Sequence, residues 1–374
     1  MREQGDGTLR VVANLDVEDA WARLARPFLP RPQLRRAVRA RIAALGSLLR
    51  VYCEPDDRLW LVDALDPARL PDGNLPRPHL ENGNENEPVH RTLTWGPSPD
   101  WSAGQAAAGQ AAEAAARVND RTHTLSLARR LGVDLPGSRA IGSVDELEAV
   151  LGSADAPHAW VLKAPLCAAG RHRLLCRPGL PAVGPEAVRR LLRAHGEAVF
   201  EPWMERTDDY GVLFRVQGDP DAPLAEAPSF HRQLVDSRGG FLGIEIPGEA
   251  DGAPFLGADE LDTLHALVGR VAASLAEAGY RGPVGIDFWR YRQGDREILH
   301  PLGEINARLT FGRVARDLRA RLFPEAGPEH GFELRFARGA APPEDLNHVD
   351  LLRPLLLPGP DDPTAAWAVL RRIR

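Results

Sequence analysis

Gly303-Glu304-Ile305-Asn306-Ala307-Arg308 comes shortly after an apolar stretch interrupted by one acid, Gly285-Ile286-Asp287-Phe288-Trp289. Residues 284–291 and 296–305 read as a strand pair joined by the turn Arg292-Gln293-Gly294-Asp295. A charge inside an apolar strand is costly unless a partner or a cation holds it. Glu304 and Asn306 are two residues apart and therefore share one side of a strand. With Asp287 on the neighbouring strand they form an all-oxygen set of the kind magnesium shares with substrate phosphates. Arg308 continues the same side, within reach of a transferring phosphoryl group. The competing reading pairs the acids with Arg290, Arg292 or Arg296.

Lys163 is the one lysine among the 46 basic side chains; all the others are arginine. A position that keeps lysine against such a bias has use for a compact charge on a flexible stem. Lys163 ends the strand-like run Trp160-Val161-Leu162-Lys163 and precedes a loop of small residues, Cys167-Ala168-Ala169-Gly170-Arg171. Backbone N–H groups of such a loop can approach phosphate oxygens, with Lys163 and Arg171 supplying charge. The loop is not a Walker A, because the chain contains no GxxxxGK[ST]. Further on, Ala198-Val199-Phe200-Glu201-Pro202-Trp203-Met204 leads into Thr207-Asp208-Asp209. This stretch offers an apolar slot and backbone donors and acceptors for an adenine, then carboxylates for a ribose diol. It reads equally as a buried strand followed by an exposed acidic turn.

The 374 residues suffice for two or three domains with a sizeable core. A charged fraction of 26%, a hydrophobic fraction of 44% and a net charge of −6 are those of a globular chain without a general pull toward nucleic acid or membrane. Three cysteines without a CxxC pair indicate neither a disulfide framework nor a zinc site. No signal peptide and no membrane span are expected, and a reducing cytoplasm is the expected compartment.

The organisation expected is an N-terminal α/β domain over 1–115, a small βαβ-like module over 116–198, a sheet domain over 199–338 and a Pro-rich tail over 339–374. In the first domain, 48–52 and 59–62 read as strands, and the stretch between Pro67 and Pro99 reads as a surface loop or disordered tract. Asn119-Asp120 caps a helix through Leu131, and Ser143 with Glu146 forms a capping box. Residues 258–278 form the clearest amphipathic helix.

In this order the pieces resemble the ATP-grasp superfamily, over residues 119–314. The resemblance implies an α/β (α+β) fold in which an N-terminal α/β domain precedes a central lid domain and a C-terminal antiparallel-sheet domain, with ATP between the last two. Residue by residue it implies that Arg121, standing where the family has a lysine, touches nucleotide phosphates together with Lys163, Gly170 and Arg171. Glu201, Trp203 and Met204 match the adenine hinge, Asp209 or its neighbour Asp208 the ribose acid, and Asp287, Glu304 and Asn306 the metal ligands. Lys163 and Arg308 match catalytic positions. His172 and Arg173 depart from the pattern, standing where another glycine is usual. The implied activity is magnesium-dependent ligation, with manganese as a substitute: ATP activates a carboxylate as an acyl phosphate and an amine captures it. The implied partners are small-molecule or peptide carboxylates and amines, and a homodimer is compatible with the family. The alternatives are phosphoryl transfer to a hydroxyl, or nucleotide binding without catalysis. Arg215, His231, Arg232 and Arg281 are candidates for a substrate carboxylate, and His300 reads as structural.

Overall fold

The computed structural model describes residues 7–27, 29, 33–72, 75–83, 89, 91–101, 106–167, 172–236, 240–248, 254–343, 346 and 349–372. Among them, three sheets follow one another along the chain. The first has strands β1 (Leu9–Val12), β2 (Arg58–Leu61), β3 (His79–Asn82) and β4 (Arg91–Thr94), all parallel, in the order β3-β2-β1-β4. Helices α1 (Val17–Ala25), α2 (Arg36–Gly46) and α3 (Ala106–Val118) belong to the same part of the chain. The second sheet joins β5 (Arg139–Ile141), β6 (Trp160–Lys163), β7 (Arg173–Cys176) and β8 (Ala198–Pro202) in the order β5-β8-β6-β7. Helices α4 (Arg121–Leu131), α5 (Val144–Leu151) and α6 (Pro185–His195) accompany it. Every strand pair in it is antiparallel, so the module is not βαβ-like as its alternation of elements implies.

The third sheet is antiparallel. Its strands are β9 (Glu205–Val216), β10 (Ser229–Val235), β11 (Phe241–Ile246), β12 (Gly282–Gln293), β13 (Arg296–Asn306), β14 (His330–Arg338), β15 (Leu351–Leu356) and β16 (Thr364–Arg372), in the order β13-β12-β9-β10-β11-β14-β16-β15. Helices α7 (Ala258–Glu277) and α8 (Phe311–Leu322) cover opposite faces of it. Alternation along β10 shows this: the Phe230 ring stacks on His265 of α7, whereas the next residue, His231, lies against Gly312 of α8. Leu264, Leu267, Val268, Val271 and Leu275 give α7 a buried stripe at helical spacing.

Four local expectations are corrected. Residues 47–52 form a 3-10 helix rather than a strand; a short apolar run does not by itself distinguish the two. The stretch between Pro67 and Pro99 contains β3 and β4 of the parallel sheet. Thr207, Asp208 and Asp209 lie inside β9 rather than in a turn. The C-terminal residues expected as a tail supply β15 and β16, with β16 between β14 and β15. Arg69 holds this segment, donating to the carbonyls of Leu357, Asp362 and Thr364 at 2.8, 3.2 and 3.1 Å, and Arg50 donates to Leu355 at 3.0 Å.

The polar composition of β3 hides a buried ion pair. Glu81 is 4% exposed, and its carboxylate accepts from Arg10 Nε at 2.8 Å and Arg58 Nη1 at 2.6 Å. Removing one partner of a buried pair leaves the other charge desolvated and uncompensated. Glu81→Ala is therefore expected to destabilise the protein by about 3–5 kcal/mol, read as a lowered denaturant midpoint. A change below about 1 kcal/mol would show that the pair behaves as a solvated surface contact.

Candidate nucleotide and metal site

Strand register brings the acidic pair together. Asp287 pairs with Glu304 across β12 and β13, and Gly285 pairs with Asn306. The Asp287 carboxylate accepts from two neutral amides, Gln233 Nε2 at 2.7 Å and Asn306 Nδ2 at 3.1 Å. Burial, reinforced by the negative charge of Glu304, pushes the Asp287 pKa up to about 7. Neither acid takes Arg290, Arg292 or Arg296 as its partner: Glu304 Oε1 accepts from Arg121 Nη2 at 2.7 Å, and Arg290 is bound to Glu260.

Arg121 opens α4, whose N-cap is Asp120; the Asp120 carboxylate accepts from Thr122 N at 2.7 Å. Asn119 fastens this start to the end of β13. Its Oδ1 accepts from Ala307 N at 2.9 Å, and its Nδ2 donates to the carbonyls of Ala115 and Ala307. Besides Glu304, the Arg121 guanidinium donates to the Ala164 carbonyl at 2.9 Å and to the Cys167 carbonyl and Sγ at 3.1 Å each. Burial opposes its charge, but Glu304 and Cys167 more than offset that and hold its pKa above the ordinary value.

Lys163 Nζ donates to Glu201 Oε2 at 2.5 Å across β6 and β8. Burial works against the Glu201 carboxylate, yet Lys163, aided by Arg206 and Arg121, keeps its pKa below the usual value. Gly170 and Arg171 lie outside the described residues. His172, beyond them, adopts a left-handed φ of 51°, and its carbonyl accepts from Ala164 N at 3.0 Å, which closes the base of the loop. In the hinge region, the Trp203 N–H donates to the Ala159 carbonyl at 2.9 Å, and Met204 packs on Leu135, Trp289 and Tyr291.

Alternation along β9 separates the two ribose candidates. Asp209 pairs in register with Gln233 and Trp289, on the face that carries Asp287, and accepts from Arg206 Nη1 at 2.8 Å. Asp208 pairs in register with Arg290 on the other face and accepts from Arg232. Arg232 is thereby engaged and His231 buried, the latter with its pKa pushed down to about 3 by burial. His231 fits because Gly211 and Gly312 flank it: a Cβ at either position would run into its ring. His300 is buried against Trp289 at 4.5 Å, and burial lowers its pKa to about 4. Arg308 donates to Glu18 Oε1 at 2.7 Å, Asn306 Oδ1 at 2.9 Å and the Leu309 carbonyl at 3.0 Å.

A narrow gap between α4, β8 and β13 is lined by Arg121, Leu135, Glu201, Leu302 and two buried hydroxyls, Thr124 and Ser138. Neither hydroxyl has a hydrogen-bond partner among the described residues. These two, with Gln233 and Glu18, are the site residues the sequence reading passes over; no local signal distinguishes a buried Thr or Ser from an ordinary one.

The sequence matches no protein-family model and no curated protein. The structure does match solved ones. It is similar to N5-carboxyaminoimidazole ribonucleotide synthetase from Thermus thermophilus, with 14% identity, coverage of 97% of this chain and 94% of that one, and a TM-score of 0.54. It is similar to biotin carboxylase from Campylobacter jejuni, with 12% identity, 99% and 88% coverage and a TM-score of 0.53. It is also similar to the biotin carboxylase domain of Hydrogenobacter thermophilus 2-oxoglutarate carboxylase, solved as a dimer with MgADP, ADP and bicarbonate, with 12% identity, 98% and 87% coverage and a TM-score of 0.53. The chain has the ATP-grasp fold. In ATP-grasp terms, Lys163 and Glu201 lie on the small sheet, Asp287 and Glu304 on the large one, and Arg121 ties the two.

Asp287, Glu304 and Asn306 fit a hard cation. Asp287 is half-buried beside a second carboxylate with only neutral amides as hydrogen-bond donors, and a cation would relieve both desolvation and repulsion. Among the described residues no three His, Cys, Asp or Glu side chains form a metal-binding group. Two carboxylates with an amide make a more open set, which leaves positions for phosphate oxygens.

Because the folded-state pKa of Asp287 is raised, its protonated form is favoured by folding. Its contribution is fully present below about pH 4 and is lost as pH rises through about 7. In chelator, Asp287→Asn is expected to remove a stability loss on the order of 2–4 kcal/mol across that window, and magnesium is expected to restore wild-type stability near pH 8. Superimposable melting-temperature profiles for the two proteins, with and without magnesium, would count against a strained carboxylate at this position.

Proposed function

We propose that this chain is an ATP-dependent ligase that activates a carboxylate as an acyl phosphate and joins it to an amine. The observation that carries the reading is the register of Asp287, Glu304 and Asn306 on the large sheet, linked through Arg121 to the loop that follows Lys163 on the small one. Solved ATP-grasp ligases of the same fold, some with ADP and magnesium, support it.

In this reading Asp287, Glu304 and Asn306 hold magnesium, or manganese in its place. The metal supplies charge neutralisation to the phosphates of ATP. Glu201, Trp203 and Met204 form the adenine side of the cleft, and Asp209 serves the ribose. Lys163 and Arg121 leave their carboxylate partners for the triphosphate, with Gly170 and Arg171 at the phosphate loop. Arg308 stabilises charge on the transferring phosphoryl group, working by position and electrostatics rather than by covalent chemistry. The module around Lys163 closes as a lid and keeps water from the acyl phosphate.

A second reading, nucleotide binding without turnover, is favoured by one observation: Glu304 and Lys163 already have ion-pair partners. The same assay separates the two. ADP release is measured with magnesium against amino acids and short peptides. ADP that appears only with added substrate supports ligation, whereas ATP binding without ADP supports the second reading, and phosphorylation of an alcohol moves the activity to phosphotransfer.

Lys163→Ala is expected to lower kcat at least about 100-fold, in line with the loss of one preorganised charge at a transition state, while the protein melts as a folded chain. Lys163→Arg is expected to be impaired as well, because the ammonium meets Glu201 at 2.5 Å as a compact point charge on a flexible stem, which a planar guanidinium does not reproduce. Near-normal turnover in the alanine variant would remove Lys163 from the site.

A further inference from the structure

Strand β9 is irregular where it runs beside β12. Asp209 pairs with Trp289 and Asp208 with Arg290, but the next pair is Arg206 with Tyr291, which leaves Thr207 as an extra residue on β9. Strict alternation would turn Arg206 to the face of Asp208. The extra residue turns it instead to the face that carries Asp209 and Asp287.

Two contacts hold the guanidinium there. Its Nη1 donates to Asp209 Oδ1 at 2.8 Å, and its central carbon lies 3.7 Å from the centre of the Trp289 ring. Trp289 packs with Leu135, Met204 and Tyr291, an apolar wall beside the hinge. Against burial, the same charge joins Lys163 in holding the Glu201 pKa down, and it adds to the burial that lowers the His300 pKa. The gap that remains beside Glu201, His300 and Leu302 measures about 20 Å³, room for about one water molecule. A base and a ribose do not fit into it, and the two surfaces that would receive them, the Trp289 ring and the Asp209 carboxylate, are both taken by Arg206. The Arg206 side chain is 34% exposed, so its exit unpacks no core.

We propose that Arg206 is an internal competitor of the nucleotide, holding the place of base and ribose on Trp289 and Asp209 until ATP displaces it. This rests on the nucleotide site of the ligase reading above. On displacement Asp209 exchanges a guanidinium for ribose hydroxyls, and the Trp289 ring exchanges a cation for the face of the base. The affinity of the chain for ATP is then its intrinsic affinity scaled by the fraction of time the place stands open.

The test is calorimetric binding to the full chain in magnesium. The probes are a non-hydrolysable ATP analogue, adenosine and inorganic tripolyphosphate, which separate the base and ribose from the phosphates. Arg206→Ala is expected to bind the ATP analogue and adenosine at least about tenfold tighter than the wild type, the gain for a place otherwise open about one-tenth of the time. Tripolyphosphate is expected to bind both proteins alike. Arg206→Lys keeps a charge for Asp209 but not the flat guanidinium on Trp289. It is expected to gain at least about threefold for the ATP analogue and adenosine, and it carries the test if the alanine variant does not fold.

Equal or weaker binding of the ATP analogue and adenosine by the variants overturns the proposal and leaves the nucleotide site standing, because Arg206 would then be a bystander or a contact of the bound nucleotide. A gain shared by tripolyphosphate also overturns it, because the effect would not belong to base and ribose. Failure of both the wild type and the variants to bind the ATP analogue overturns the nucleotide site itself and the proposal with it.

Discussion

The Arg121 guanidinium, at the start of a helix that contacts both β8 and β13, bridges the small and the large sheet. From the N-terminus of α4 it reaches a carboxylate on β13 and two carbonyls beyond the end of β6. Without it Glu304 would pair in register with Asp287 and have no ion-pair partner of its own. Two adjacent carboxylates in a buried setting cannot both stay ionised unaided. The arginine thus brings positive charge to Glu304 and gives the small sheet a defined seat on the large one, whereas Arg308 is the cation that acts on Asp287.

Lys163 and Glu201 repeat the arrangement on the opposite wall. Each sheet thus carries a charge pair that is satisfied internally, and in the proposed function both pairs are made of groups that serve ATP. In that proposal a phosphate or an adenine amino group would take the vacated place, exchanging one charge-assisted hydrogen bond for another. The single lysine is at the flexible end of this exchange and the arginine at the anchored end. That division matches a slender stem against a guanidinium tied by several acceptors.

The acidic strand pair is legible in the sequence because it breaks a strong local pattern: Asp287 interrupts an apolar run, and Glu304 and Asn306 keep period two. The helix starts at Asp120 and Ser143 are legible for the same reason, since a cap is decided within four residues. What surrounds the acids is not legible. Gln233 meets Asp287 from 54 residues away and Glu18 meets Arg308 from 290 away, and both look like ordinary polar residues where they stand. Strand β3 escapes reading because Glu81 is buried through arginines on other strands rather than through an apolar pattern. The acids at 208 and 209 read as a turn because consecutive charges suggest solvent. In β9 they point to opposite faces, and only one shares a face with Asp287.

The position of β16 ties the two ends of the described chain into one event. This strand lies inside the large sheet, with β14 on one side and β15 on the other, and its approach is clamped by Arg69 from the N-terminal region. The sheet that carries Asp287 and Glu304 therefore stays unfinished on a ribosome until residue 372 has emerged. Non-local pairings of this kind are slow to form and leave strand edges bare in the meantime. Until then the edge of β14 that β16 covers is open to pairing with other chains.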